Sequence, residues 1–245
     1  MSFRPERAYY ERWQRQYDAS LPAHEWLAKS GGLATSMSEV FMAGYQGAMR
    51  SEFGVANGQW AAFCVSEGAD GLTPVRQDAD GLVSGVKTWV AAASVVDVLW
   101  VKVGRGADAA YVCLPRDTQG LSLALSASSG FLPELCIGRL HLDRVDPGVP
   151  QLLSRQRLKA FPRVEAGCML IALLCFLVQH DINWAQQELD SKGGLIIADR
   201  NPAALFELAL KVQQCEPDLA EKMPNWVRDR QLIDMYVSML CKQDP

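Results

Sequence analysis

Between Trp60 and Leu153 the chain changes its hydrophobic period, and that change limits the folds open to it. Short runs rich in β-branched and aromatic residues follow one another: Ala61–Val65, Val75–Gln77, Gly81–Val90, Val98–Lys102, Ala109–Leu114, Leu121–Leu125, Phe131–Ile137 and Gly138–Val145. Gly, Pro and Asp separate them, and turn signals at this spacing predict an antiparallel barrel or sandwich. Ala79-Asp80-Gly81 and Asp117-Thr118-Gln119-Gly120 carry turn chemistry, since Asp bonds its own backbone and Gly takes a positive φ.

On both sides the period is helical. Arg4–Asp18 places Tyr10, Trp13 and Tyr17 on one face. Pro22–Lys29 forms a short helix ending at Gly31-Gly32. Ser36–Phe53 follows, with Val40, Phe41, Tyr45, Ala48 and Met49 as its apolar stripe, and Gly44 and Gly47 admitting a close neighbour. After the β-rich stretch, Pro162–Ser191 reads as one long helix stopped by Gly193-Gly194. Pro202 opens a helix to Cys215 with Leu205, Leu208, Ala209 and Val212 inward. A last helix spans Trp226–Leu240, with Val227, Leu232, Met235 and Met239 expected inward. The expected class is α+β: an N-terminal helical segment (1–58), an antiparallel β-barrel-like middle domain (59–154) and a C-terminal helical bundle (155–245).

Composition narrows the function classes. A net charge of -4 gives no basic footprint for nucleic acid. The seven cysteines are scattered, without a CxxC pair, and read as small buried hydrophobes in a reducing cytoplasm. Met1–Arg15 is charged and aromatic, unlike a signal peptide. The apolar run Cys168–Val178 falls short of the ~20 residues a membrane span needs, and is expected to be a buried helix. His24, His141 and His180 lack metal-ligand spacing, so no metal is expected. His180-Asp181 is a poor acid–base pair if both lie on a helix, where adjacent residues diverge. No GxSxG, GxGxxG or P-loop occurs.

Two runs about twenty residues apart carry the most specific signal: Phe63-Cys64-Val65-Ser66-Glu67-Gly68 and Gly85-Val86-Lys87-Thr88-Trp89-Val90-Ala91. With the order helices, β-domain, helices, they resemble the acyl-CoA dehydrogenase superfamily. The first resembles its aromatic-Cys-x-Thr-Glu-Pro strand and the second its Gly-x-Lys-x-Trp-Ile-Thr strand. Pro115–Leu121 resembles a β-turn of that family, and Leu140–Leu153 its final strand and exit. The resemblance covers roughly residues 60–153, and both helical parts are shorter than the family's, so the bundle is truncated.

The resemblance implies that these strands face the flavin ring of FAD. Backbone amides and a hydroxyl of the first strand would bind the pyrimidine edge, where donors stabilise the charge of a reduced flavin. The tryptophan would pack on the flat ring, and the threonine two residues later would reach N5. Carried across, the cofactor-binding candidates are Val65, Ser66, Trp89 and Ala91, the last replacing the threonine and keeping only its backbone amide.

Departures from the family are concentrated elsewhere. Pro162-Arg163-Val164-Glu165-Ala166-Gly167 resembles the start of the long bundle helix, but Phe161 replaces an arginine. Gln186 and Gln187 stand where an arginine reaches the FAD pyrophosphate, and glutamine brings no charge. The glycine-rich segment around the adenosine is missing, and Ala69-Asp70-Gly71 shortens a serine-bearing turn. Dehydrogenation needs a carboxylate to take the α-proton. After Arg228-Asp229 the usual glutamate position is Val237, and the position used by the isovaleryl type is Ala160. Glu165 is the nearest carboxylate on the long helix and the candidate for a relocated base; its ordinary role is a charge favoured near a helix N-terminus.

The resemblance thus implies a flavin-dependent oxidoreductase acting on an acyl thioester of CoA or a carrier protein. The alternative is a catalytically inactive relative serving as a structural or regulatory partner. A monooxygenase of the same fold, using FAD or FMN, needs no α-proton base. The apolar long helix points to a homodimer or a heteromer with a related subunit.

Overall fold

The computed structural model describes residues 4–56, 58–68, 72–106, 109–127, 130, 132–149, 155–197, 201–223 and 225–241. Ala69-Asp70-Gly71, Asn57, Phe131 and residues 150–154 lie outside the described residues. The elements run α1 (Arg4–Gln16), α2 (Ala23–Gly32), α3 (Met37–Phe53), β1 (Ala61–Cys64), β2 (Arg76–Gln77), β3 (Val83–Val90), β4 (Val98–Val103), β5 (Ala110–Pro115), β6 (Leu121–Ala127) and β7 (Cys136–Val145). They continue with α4 (Arg155–Gln179), α5 (Asn183–Ile197), α6 (Pro202–Gln214), α7 (Glu216–Lys222), α8 (Trp226–Asp229) and α9 (Gln231–Cys241). The α+β class holds.

Two units divide the chain: Met1–Arg7, Val55–Ser128 and Glu134–Leu158 form the first, and Ala8–Gly54, Ser129–Pro133 and Lys159–Pro245 the second. In the first unit the strands form two open sheets, β1-β4-β5 and β2-β3-β7-β6, rather than a barrel. Nor is the pairing wholly antiparallel, because β1 runs parallel to β4 from Ala61↔Val98 to Cys64↔Val101. That register is pinned at its start, where Trp60 N–H donates to the Asp97 carboxylate at 2.8 Å and the Asp97 and Val98 amides donate back to Trp60 O. Of the expected strand Phe131–Ile137, residues 132–135 form no strand; β7 runs unbroken from Cys136, with Leu132 at φ 56 before it.

Alternation is clear along β7, where Cys136, Gly138, Leu140 and Leu142 turn inward. Gly85 is required on β3: its φ is 135°, and a Cβ there would stand 2.5 Å from Pro74 O. At the other end of β3, Ala91–Val95 forms a tight turn with Ala92 at φ 51. Glu6, fully buried, holds this turn by accepting from the Ser94 amide and hydroxyl and from the Cys136 amide. Arg116 Nη1 donates to Ala93 O and Val96 O across the same turn.

The second unit is helical. Its core is α4, buried without a break from Ala166 to Leu177. Gly44 on α3 and Gly31 on α2 let backbone meet backbone: a Cβ would lie 2.3 Å from Met169 Cα and 2.4 Å from Ala172 O. The α3 stripe Val40, Phe41, Tyr45, Ala48 and Met49 is buried as its spacing predicted, as are Leu205, Leu208, Ala209 and Val212 on α6. Asn201 caps α6 by accepting from Ala204 N–H, ahead of Pro202 in the first turn.

Other helix limits differ from expectation. Pro162 lies inside α4, which begins at Arg155. The long helix breaks at His180-Asp181, where Asp181 takes φ 60 and the Ile182 amide returns to Leu177 O. α5 then runs through Gly193-Gly194. Val227 and Met235 point outward at 68% and 55% exposure; Leu232, Ile233, Tyr236 and Leu240 are the inward set. Within α4, Leu158–Gln179 is long and apolar enough to cross a membrane by length and composition, which the shorter run Cys168–Val178 is not; 78% of its most apolar window is buried inside the protein.

Candidate functional site

The two runs singled out from the sequence meet in the first unit. Past the end of β1 the chain stays beside β3, where Thr88 N–H donates to Ser66 O at 2.8 Å and Thr88 Oγ1 to the same oxygen at 3.3 Å. Behind this junction lies an ionic hub. The Lys87 side chain is fully buried and its Nζ donates to Glu67 Oε1 at 2.9 Å. That oxygen also accepts from Val75 N–H, while Arg105 Nε donates to Oε2 at 3.2 Å. Burial works to raise the Glu67 pKa, but Lys87 and then Arg105 outweigh it and hold the carboxyl below its usual range. Burial pulls the Lys87 ammonium down, against the pull of Glu67.

A β-bulge decides what this framework presents. Between the pairs Lys87↔Leu140 and Val90↔Gly138, β3 advances three residues while β7 advances two. The extra residue shifts the alternation, so Lys87 is buried but Trp89, two residues on, is 36% exposed and Val90 is buried. Bulges re-aim side chains in this way. Val65 is 39% exposed and Ser66 is exposed beside it. Val65, Ser66 and Trp89 therefore offer an apolar edge, a hydroxyl and an aromatic ring on two hydrogen-bonded segments. Ala91 differs: it is fully buried, at the start of the turn held by Glu6. Ala91 offers no side-chain surface to set beside these three.

The second unit holds the remaining candidates. Glu165 on α4 accepts a hydrogen bond from Tyr236 Oη on α9 at 2.9 Å. Burial pushes the Glu165 pKa up to about 7, against the lowering effect of that hydrogen bond, and burial with the neighbouring Glu165 raises the Tyr236 phenol. Glu165 does not stand at the helix N-terminus, because α4 begins ten residues earlier, at Arg155. Val237 follows Tyr236, and Ala160 lies on α4; both are half-buried. Phe161 is a core residue, with its ring 5.2 Å from Phe53 and 6.3 Å from Tyr45. Gln186 donates to Asp190 Oδ1 at 2.7 Å, and Gln187 is exposed. The pair Arg228-Asp229 has a structural use, because buried Asp229 accepts from Leu132 N–H at 2.8 Å.

Sequence reasoning did not single out the Glu67–Lys87 pair, the bulge or Tyr236. A lysine at an inward position of an alternating strand was the available sign of the first. His180-Asp181 sits at a helix break rather than on a helix, with the His180 ring 4.3 Å from Phe176. Among the described residues, no three His, Cys, Asp or Glu side chains are grouped to hold a metal ion.

No protein-family model and no curated protein matches the chain by sequence. Solved structures match it in fold. An FAD-dependent dehydrogenase aligns over 89% of this chain and 78% of its own, at 12% identity and a TM-score of 0.58. FkbI, for biosynthesis of the methoxymalonyl extender unit of the polyketide Fk520, aligns over 89% of this chain and 83% of its own, at 19% identity and a TM-score of 0.58. An acyl-CoA dehydrogenase from Bacillus anthracis, complexed with FAD, aligns over 84% of this chain and 42% of its own, at 15% identity and a TM-score of 0.50. With the two strand runs and the order of elements, these matches establish that the chain has an acyl-CoA dehydrogenase-like fold.

Proposed function

We propose that the chain is a flavin-dependent oxidoreductase acting on an acyl group held as a thioester of CoA or a carrier protein. The observation that carries this is the exposed Trp89 ring and Ser66 hydroxyl on hydrogen-bonded segments of a fold shared with FAD-dependent dehydrogenases. Bound FAD would supply the acceptor for a hydride from the β-carbon. Ser66 and the amides around it donate to the ring's acceptor edge, and Trp89 covers its face. Val237 and Ala160 cannot take a proton, so the α-proton goes to another group, for which Glu165 is the candidate carboxylate of the long helix. The protein works in the cytoplasm, as a homodimer or with a related subunit.

A second reading has its own support. Valine and alanine at both base positions, and a Gln186 engaged by Asp190, suit an inactive relative that serves as a partner subunit. The visible spectrum of the purified protein separates the two. The enzyme reading expects a yellow protein, or one that takes up added FAD, with Trp89→Ala lowering affinity about tenfold by loss of the stacking face. Bleaching by an acyl-CoA panel without oxygen then identifies dehydrogenation, and preference for FMN with no bleaching favours a monooxygenase. A colourless protein that takes up neither flavin overturns every flavin reading and leaves the partner subunit.

A further inference from the structure

Strand β6 forms one edge of the sheet β2-β3-β7-β6, with β7 on its inner side. A free sheet edge is a row of unpaired amides and carbonyls, which proteins blunt with short strands, charge or proline. The other described edges follow that rule: β2 has two residues including Arg76, β1 has four, and β5 ends in Pro115. β6 uses none of these devices. Its seven residues, Leu121-Ser122-Leu123-Ala124-Leu125-Ser126-Ala127, carry no charge and no proline. They pair with β7 one for one, from Leu121↔Leu142 to Ala127↔Cys136, without a bulge. Ser122 and Ala124 to Ala127 are exposed, Leu125 to 41%.

The sequence of this edge is self-complementary: residues 122–126 read Ser-Leu-Ala-Leu-Ser in both directions. Residues directly opposite in an antiparallel pair point to the same face and interact. A two-fold axis through Ala124 sets Leu123 against the second copy's Leu125, Ser122 against its Ser126, and Ala124 against its own equivalent. Like meets like on each face, as an isologous contact demands. The nearest exposed charge, Arg139, lies on β7 opposite Ala124. Across the axis the two Arg139 strands would be three strand spacings apart, about 14 Å, beyond the roughly 8 Å screening length of physiological salt.

We propose that β6 is a homodimer seam, with two copies pairing antiparallel about Ala124 to join their four-stranded sheets. The proposal stands independently of the flavin reading. Sedimentation or light scattering of the full chain over a hundredfold concentration range is expected to show twice the monomer mass at the upper end. Ala124→Lys sets two ammonium groups opposite each other on the axis and raises the dimer dissociation constant at least about tenfold. Ala124→Thr, β-branched and uncharged, keeps the dimer. A wild type that stays monomeric, or a folded Ala124→Lys protein as dimeric as wild type, overturns the seam. Should Ala124→Lys fail to fold, Ala124→Cys in a Cys241→Ser background decides it. Facing Cα atoms about 4.5–5.5 Å apart suit a disulfide, so oxidation gives a covalent dimer that reductant reverses. No covalent dimer under oxidation overturns the proposal.

Discussion

Glu67 and Lys87 make a buried ion pair whose two halves should not cost the same to remove. The Lys87 side chain is fully buried, and Glu67 Oε1, 2.9 Å away, is the carboxylate that faces it. Glu67 is better supplied: Val75 N–H, Arg105 and, at 3.7 Å, Arg76 also serve it, and its side chain keeps 14% of its surface. Glu67→Gln therefore strands a buried ammonium, a loss of about 3–5 kcal/mol. Lys87→Met leaves a carboxylate with two cations and an amide, and fills the space with a side chain of similar length, so about 1–2 kcal/mol is expected. Urea denaturation followed by circular dichroism at pH 7 measures both, and at an m-value of about 2–3 kcal/mol per molar the two midpoints should differ by about 1 M. The pH dependence has a definite sign. In Glu67→Gln, Lys87 loses its counter-charge while burial still depresses its pKa, so the unfolded chain binds the extra proton. Stability of that variant should rise with pH towards the ordinary lysine range. Equal midpoints for the two variants, or a Lys87→Met protein that is the less stable, would refute the assignment of the buried charge to Lys87.

Further perturbations probe the second unit. Gly44→Ala puts a methyl group 2.3 Å from Met169 Cα, and the required backbone shift should cost about 1–3 kcal/mol, read as a lowered melting temperature. Asp229→Ala removes the acceptor for buried Leu132 N–H and should cost about 1–3 kcal/mol in the same assay. Glu165 has a raised folded pKa, so the native state binds the extra proton between the ordinary glutamate range and about pH 7. Its contribution to stability is present below that window and is lost as pH rises through it. Glu165→Gln should flatten that fall in a melting series from pH 4.5 to 8, and a slope that persists unchanged assigns it to another group.

Much of the fold was legible because it rests on local patterning. The stripes on α3 and α6 are set by residues three and four apart, and burial followed them. The glycine at 44 signalled a close helix approach before its neighbour was known. What failed were choices made by partners distant in sequence. The parallel β1–β4 pair is fixed by Trp60 and Asp97, 37 residues apart, and nothing in either strand announces its direction. The long helix was expected to stop at Gly193-Gly194, but it breaks at Asp181 in a left-handed conformation that aspartate tolerates better than most residues. Met235 was placed inward on hydrophobicity alone, whereas packing selected Tyr236, whose hydroxyl has a carboxylate to bond.

The candidate site shows the same division more sharply. Phe63–Gly68 and Gly85–Ala91 are recognisable as strings, but strict alternation along β3 puts Lys87 and Trp89 on one face. It would bury both or expose both. The single extra residue between Lys87 and Val90 separates them, sending the ammonium to Glu67 and leaving the indole ring accessible. That bulge ends where the chain enters the turn Ala91–Val95, and the turn is held from outside the strand by Glu6, Arg116 and the Cys136 carbonyl, which accepts from Ala93 N–H. The turn that follows Trp89 is thus anchored by a carboxylate more than eighty positions earlier in the chain. A sequence match at Trp89 cannot by itself establish a ring-binding face; a sequence that kept the tryptophan but lost Glu6 or the Lys87–Glu67 pair would be free to return to regular alternation and turn the ring inward.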